Sequence, residues 1–235
     1  MVELKQNTYA QSQSTAIDQG LREYMMKVYN YMTSGLAISG LVAWGFASSD
    51  TLMQAVFGSG LQWIVMLAPL GFIFFLGARL QKMSLSAAQI TFWAFAAVMG
   101  ISLSSILYAF TGLSVARVFL ITCSTFAAMS IYGYTTKRDL TKFGSFLIMG
   151  LIGIILASIV NIFMQSSAMH FIISCVGVLV FVGLTAYDTQ RIKSTYYQVA
   201  GTNFAGKAAI MGALTLYLDF INLFIMLMQL FGQRR

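Results

Sequence analysis

The amino-acid sequence predicts an all-α integral membrane protein, built as a bundle of seven transmembrane helices with almost no soluble domain. Of its 235 residues, 58% are hydrophobic and only 9% are charged, whereas soluble domains carry roughly 25% charged residues. The mean hydropathy is +0.78. Apolar runs of roughly 18 to 25 residues recur along the chain, and each is long enough to cross the hydrocarbon core of a bilayer as a helix.

Seven such runs, numbered here as spans one to seven, follow one another with short connections. They cover residues 28–49, 60–78, 86–110, 114–134, 143–164, 169–190 and 208–231. The runs lack the alternation of barrel strands, and an open sheet would leave backbone groups unsatisfied in lipid, so we expect helices. The organisation that follows is a polar cytoplasmic leader at 1–27 and a single transmembrane domain at 28–235.

The basic residues predict the orientation of this bundle. Most of the 14 Lys and Arg precede span one or follow spans two, four and six, and therefore share one side of the membrane. They are Lys5, Arg22, Lys27, Arg79, Lys82, Lys137, Arg138, Lys142, Arg191, Lys193 and Lys207. Short cytoplasmic loops collect Lys and Arg, so the amino terminus is expected in the cytoplasm. Only an even number of spans, or a re-entrant segment, would bring the terminal pair Arg234 and Arg235 to the same side.

The net charge of +7 is scattered between the apolar runs in twos and threes. A nucleic-acid surface would cluster its basic residues on one face, so nucleic-acid binding is not expected. The bilayer itself is the expected partner.

Asp219 is the most informative residue in the chain. It lies about 17 Å into span seven, close to the bilayer centre, where a carboxylate costs about 2.5 to 3.5 kcal/mol and usually marks an ion or proton route. Thr215 lies one helical turn before Asp219 and Asn222 lies one turn after it, so the three residues form a polar stripe along the helix. The alternative is a neutral, hydrogen-bonded acid with a structural role.

Asp188 is the other acidic residue within the spans, near the cytoplasmic end of span six. Arg191 follows three residues later on the same face, so an interfacial ion pair is one interpretation. The other is that Asp188 meets Asp219, since spans six and seven are consecutive and antiparallel. Two carboxylates in contact in a dry site cannot both ionise readily, so they would titrate as a unit and form a pH sensor. Arg79, at the cytoplasmic end of span two, is either their counter-charge or an ordinary cytoplasmic arginine.

Several other classes of membrane protein can be excluded because particular residues that they require are absent from this sequence. Span seven has no lysine for a retinal Schiff base, and His170 stands alone without partners for a metal or a Gly-x-Ser-x-Gly serine. An intramembrane aspartyl protease would explain Tyr187 before Asp188, but its Gly-x-Gly-Asp motif is absent, since Leu216-Tyr-Leu precedes Asp219. We expect neither an enzyme nor a bound cofactor.

At these same residues the chain resembles the Bax inhibitor family in its bacterial branch. The matching segments are Phe181-Val-Gly-Leu-Thr-Ala-Tyr-Asp-Thr-Gln190 and Ala213-Leu-Thr-Leu-Tyr-Leu-Asp-Phe-Ile-Asn-Leu-Phe224, with support from Tyr132–Leu140 and Gly150–Ser158. The resemblance implies a central seventh helix wrapped by the other six, and a pH-sensitive calcium leak. It further implies that Asp188 and Asp219 form the proton-sensing pair, that Arg79 can pair with one of them, and that span two moves to gate the path.

One departure from the family bears on calcium. Relatives for which a calcium route is argued carry a further acid about three turns before the arginine, where this chain has Ala68 and Pro69. Calcium prefers six to eight oxygen ligands, so weak passage at Asp188 and Asp219 fits better than tight binding.

Two functions therefore remain open. One is a proton-gated leak for calcium or another cation. The other is a non-conducting regulator that binds a membrane protease or a cell-death or stress-response protein. The short tails favour a bacterial plasma membrane as the location.

Overall fold

The computed structural model describes the backbone of residues 2–235 and the side chains of residues 19–235. Its architecture is almost entirely helical, with eight α-helices and one short 3-10 turn at Leu80–Lys82. The helices are α1 Val2–Ala47, α2 Asp50–Phe57, α3 Leu61–Arg79, α4 Leu85–Ala109, α5 Gly112–Thr135, α6 Thr141–Met164, α7 Ser167–Val199 and α8 Ala205–Phe231. Spans two to seven correspond to α3 to α8. Each of these six helices is long and apolar enough to cross a membrane.

Span one differs from its prediction at its far end. Helix α1 stops at Ala47, and the chain turns by 100° into the short α2. Ser49 begins α2, accepting a hydrogen bond from the Leu52 N–H, and Asp50 occupies its first turn, where a negative charge favours a helix amino terminus. A seventh span is present only if α1 and α2 count together as one broken crossing, so the number of spans is six to seven.

Helix α8 is the most enclosed helix of the bundle. In its most apolar stretch 67% of the residues are buried, against 44% for α7 and 11% for α3 and α6. Its direct neighbours are α7, α1, α5 and α4, while α3 packs mainly on α4 and α6 mainly on α7. The expected enclosure of the last helix is therefore visible, with four helices rather than six as its principal neighbours.

Glycines allow two of the closest helix contacts. A Cβ atom on Gly133 of α5 would lie 2.2 Å from the carbonyl oxygen of Ala186 on α7, and one on Gly100 of α4 would lie 2.7 Å from the carbonyl oxygen of Ser39 on α1. Small residues let helix backbones approach in this way in membranes. The first contact holds α5 against α7 two residues from Asp188.

The carboxyl-terminal residues lie beside the turn between α4 and α5. Thr111 N–H donates to the Gln233 carbonyl (2.9 Å), Arg235 N–H donates to the Ala109 carbonyl (3.0 Å), and the Arg234 guanidinium lies 5.9 Å from the Phe110 ring centre. This is the end of the bundle opposite to the α5–α6 and α7–α8 connections.

Candidate functional site

Asp188 and Asp219 lie together inside the bundle, at the contact between α7 and α8. Their side chains are only 7% and 5% exposed, and their carboxyl groups are close enough to interact directly. Asp219 Oδ2 is fully buried and has no hydrogen-bond partner among the described residues. A buried carboxyl oxygen without a partner is costly to the folded state.

The predicted supporting residues on α8 flank Asp219. Thr215 is half-buried and its hydroxyl donates to the Met211 carbonyl of its own helix (3.1 Å). Asn222 is also half-buried. Both residues line the polar stripe that the sequence predicts, but the hydroxyl of Thr215 is already engaged with the backbone.

The two arginines occupy different surroundings. Arg191 is exposed and follows Asp188 by three residues on α7. Arg79 is exposed at the end of α3, whose main neighbour is α4 rather than α7 or α8. The structure therefore places Arg79 on a different part of the bundle from the two aspartates.

A chain of hydroxyl groups crosses three helices next to Asp188. Tyr29 of α1 and Ser130 of α5 share a hydrogen bond of 2.6 Å, and Ser130 bonds Thr189 of α7 at 3.0 Å. Thr189 donates its proton to the Thr185 carbonyl (2.7 Å). Each hydroxyl has one proton, so donation runs from Tyr29 to Ser130 to Thr189. The sequence analysis did not predict this network.

A second buried network lies around Tyr217, two residues before Asp219. The Tyr217 and Ser39 hydroxyls are 2.6 Å apart, and Ser39 donates to the Ala96 and Gly35 carbonyls at 2.7 and 2.9 Å. Since the Ser39 proton is directed to these carbonyls, Tyr217 is the donor to Ser39. The bond joins α8 to α1 and α4. The available sequence signal for this bond was a tyrosine within an apolar span, and the structure shows that this tyrosine is fully buried.

The connection between α5 and α6 is fastened to α7 just beyond Asp188. Gln190 accepts from the Leu140 N–H (2.9 Å) and donates to the Arg138 carbonyl (2.8 Å). Lys193 donates to the Tyr134 carbonyl (2.8 Å) and lies over the Tyr134 ring at 4.9 Å. These bonds fix the ends of α5 and α6 relative to the helix that carries Asp188.

A cavity of about 660 Å³ opens at the end of the bundle where the carboxyl-terminal residues lie. We call it the vestibule. Asp50 and Arg235 stand among its lining residues, which extend inward between α1, α4, α5 and α8 to Ser39 and Phe220. It therefore reaches the residue next to Asp219 and the serine that holds Tyr217.

Metal coordination was also considered for the aspartate pair. Among the described residues, no three His, Cys, Asp or Glu side chains gather into a group that could hold a metal ion. The pair can interact with a passing cation but offers too few protein ligands for the six to eight oxygens that calcium prefers.

Comparisons with known proteins agree with the sequence motifs. The family model described as inhibitor of apoptosis-promoting Bax1 matches residues 21–235. An uncharacterized protein of Rickettsia prowazekii is 48% identical over the full length of both chains. The inner membrane protein YbhL of Escherichia coli K12 is 47% identical over 92% of this chain and 94% of its own. An uncharacterized membrane protein of Streptococcus pyogenes is 35% identical over 93% and 96%.

Proposed function

The chain belongs to the Bax inhibitor family as a multi-pass membrane protein, and from that premise we propose that it forms a pH-sensitive cation leak with calcium as the transported ion. The buried pair of Asp188 and Asp219 carries the proposal. The protein acts in the bacterial plasma membrane, with its amino terminus in the cytoplasm.

The pair supports a proton-gated mechanism because of its placement. Two carboxyl groups in contact inside an apolar bundle are most easily accommodated with a shared proton, and Asp219 Oδ2 has room for that role because it lacks another partner among the described residues. Loss of the shared proton leaves charge that must be relieved by a cation or by movement of the helices. pH would thus act on the path directly.

The vestibule supplies one half of a route. It leads from Asp50 inward to Ser39, and Ser39 is bonded to Tyr217, which precedes Asp219 by two residues in α8. We place the closed barrier at this bond. An ion entering from the vestibule would reach Asp219 after Tyr217 turns away from Ser39.

Arg79 is proposed as the counter-ion that exchanges with the shared proton. This requires movement of α3, since Arg79 is exposed in the present conformation. The packing of α3 favours such movement, because its main neighbour is a single long helix, α4.

A liposome flux assay tests the proposal. Purified protein is reconstituted into vesicles that contain a calcium-sensitive dye, and flux is measured across a pH series. Asp219→Asn should flatten the pH dependence, because an amide cannot release the proton. Asp139→Asn is the matched control, since Asp139 is an exposed acid in the α5–α6 connection and should leave the profile unchanged.

Two results would contradict the leak. Unchanged pH dependence in Asp219→Asn would remove the aspartate pair as the sensor. Absence of flux from the wild-type protein, together with a stoichiometric membrane protein recovered after crosslinking, would instead favour the non-conducting regulator.

A further inference from the structure

A long apolar groove lies between α1 and α5, where the bundle is open to the side. Its volume is about 1120 Å³, its walls come from α1 and α5, and Phe220 of α8 lies at its floor. We call it the α1–α5 groove. Small side chains recur along both walls, namely Thr33, Ala37 and Gly40 on α1 and Cys123, Ala127 and Ser130 on α5.

Two of the polar groups in the walls of the groove are bonded to each other. Tyr29 and Ser130, which both line it, bond to each other at 2.6 Å. Ser130 is bonded onward to Thr189. The middle of the groove therefore presents hydrocarbon and closed hydrogen bonds, a surface suited to an acyl chain.

One end of the groove is cationic. Arg22 lines it and is exposed, and Tyr134 on the opposite wall carries the Lys193 ammonium 4.9 Å from its ring centre. Among the described residues that line the groove, none is acidic, and Glu23 is exposed but stands outside this lining. Lys193 itself lies outside the lining and is bonded to the Tyr134 carbonyl. An exposed arginine at the end of an apolar channel is complementary to an anionic headgroup with an attached chain.

The dimensions agree with this assignment. From Arg22 to Leu41 the α1 wall extends about 28 Å at 1.5 Å per residue, close to the thickness of a bilayer core. An acyl chain that begins at Arg22 and crosses one leaflet, about 15 Å, would end near the level of Thr33 and Ala127.

We propose that the α1–α5 groove binds an anionic phospholipid, with its phosphate at Arg22 and one acyl chain along the small residues of α1 and α5. An apolar partner helix would fill the same length but would leave the exposed Arg22 unmatched. The site stands independently of the leak, although its floor residue Phe220 is the neighbour of Asp219 in the chain.

Native mass spectrometry of the detergent-purified protein tests this site. Phosphatidylglycerol and phosphatidylcholine with identical chains are added in turn, and the bound fraction is measured. We expect phosphatidylglycerol to be retained preferentially. Arg22→Gln should weaken its binding about fivefold, the change expected for one basic residue near an anionic lipid. Lys82→Gln, an exposed cation in the α3–α4 connection, should have no effect.

The chain position is tested by filling the groove. Ala127 is exposed and lines the groove. Ala127→Phe places a ring in the groove and should therefore reduce retention of both lipids. Leu120→Phe, on the exposed surface of α5 outside the groove lining, is the control. The proposal would be overturned if the two lipids were retained equally and if Arg22→Gln did not change their retention. So would a hydrophobic polypeptide that co-purifies and is lost in Ala127→Phe while lipid binding is unchanged.

Discussion

Helices α3 and α8 have nearly the same hydropathy, 2.0 and 1.9 over their most apolar stretches, yet 11% of the first and 67% of the second are buried. Hydropathy reports that both can enter a membrane but does not report which one lies inside the bundle. The difference lies in composition: α8 carries a buried tyrosine and a buried aspartate, whereas α3 exposes large apolar side chains. In this bundle the enclosed helix is thus recognised by its polar residues.

The largest effect that would test this comparison comes from enlarging alanines on the two helices. Ala213 on α8 is fully buried, while Ala78 on α3 is exposed. Ala213→Leu should destabilise the folded protein by about 1 to 3 kcal/mol, because the core has no space for the added atoms. Ala78→Leu should change stability by less than about 0.5 kcal/mol. Unfolding followed by circular dichroism in detergent measures both, and equal losses would refute the assignment of α8 as the enclosed helix.

A smaller effect is expected at Tyr217. Tyr217→Phe removes the hydroxyl that bonds Ser39 while keeping the ring beside Phe92 and Phe95. The loss should be about 0.6 kcal/mol and at most about 1.7, the range for hydrogen bonds between transmembrane helices. The control is Tyr132→Phe, since Tyr132 is exposed on α5 and lies outside the vestibule lining. In the flux assay Tyr217→Phe should also raise basal calcium passage, which Tyr132→Phe should leave unchanged.

Substitution of Arg79 separates a gate from a structural role on α3. Because Arg79 is exposed, Arg79→Gln should alter stability by less than about 0.5 kcal/mol, yet it should shift the pH at which flux changes. Lys82→Gln is the matched control on the same connection. A large loss of thermal stability in Arg79→Gln, without a change in the flux profile, would contradict its role as counter-ion.

The smallest effect is expected outside the membrane, at Asp139. The Thr141 hydroxyl and N–H both donate to its Oδ1, at 2.6 and 2.9 Å, and these bonds hold the pKa of Asp139 below its usual value. A lowered folded-state pKa means that the stabilisation is present above the unfolded pKa, about 3.9, and is lost as pH falls through the folded pKa. Asp139→Asn should slightly flatten the acid end of the stability profile, measured by unfolding across a pH series.

Most of the helical plan was predictable from hydropathy because each span must be long and apolar. Spans two to seven agree with α3 to α8 to within a few residues at most boundaries, apart from the extension of α7 to Val199. The break after Ala47 was not predicted, because the hydropathy of an apolar run does not indicate whether the helix bends within it. Ser49 followed by Asp50 was a helix-start signal that could have located α2.

The candidate site was predictable to a lesser degree. The contact of Asp188 with Asp219 could be anticipated because their helices are consecutive, although only the structure establishes it. The partners Tyr29, Ser130 and Thr189 come from three helices far apart in sequence, and no local pattern links them. The counter-ion role of Arg79 stays a prediction, since it depends on a conformation that differs from this one.

The bonds of Gln190 and Lys193 have a mechanical consequence. They join α5, α6 and α7 into one rigid unit, while α1, α3 and α4 form a second unit on the other side of α8. The α1–α5 groove is the boundary between the two units, and the bond between Tyr29 and Ser130 connects them there. We therefore expect any opening of the bundle to rotate α1, α3 and α4 about α8, rather than to deform the unit that contains Asp188.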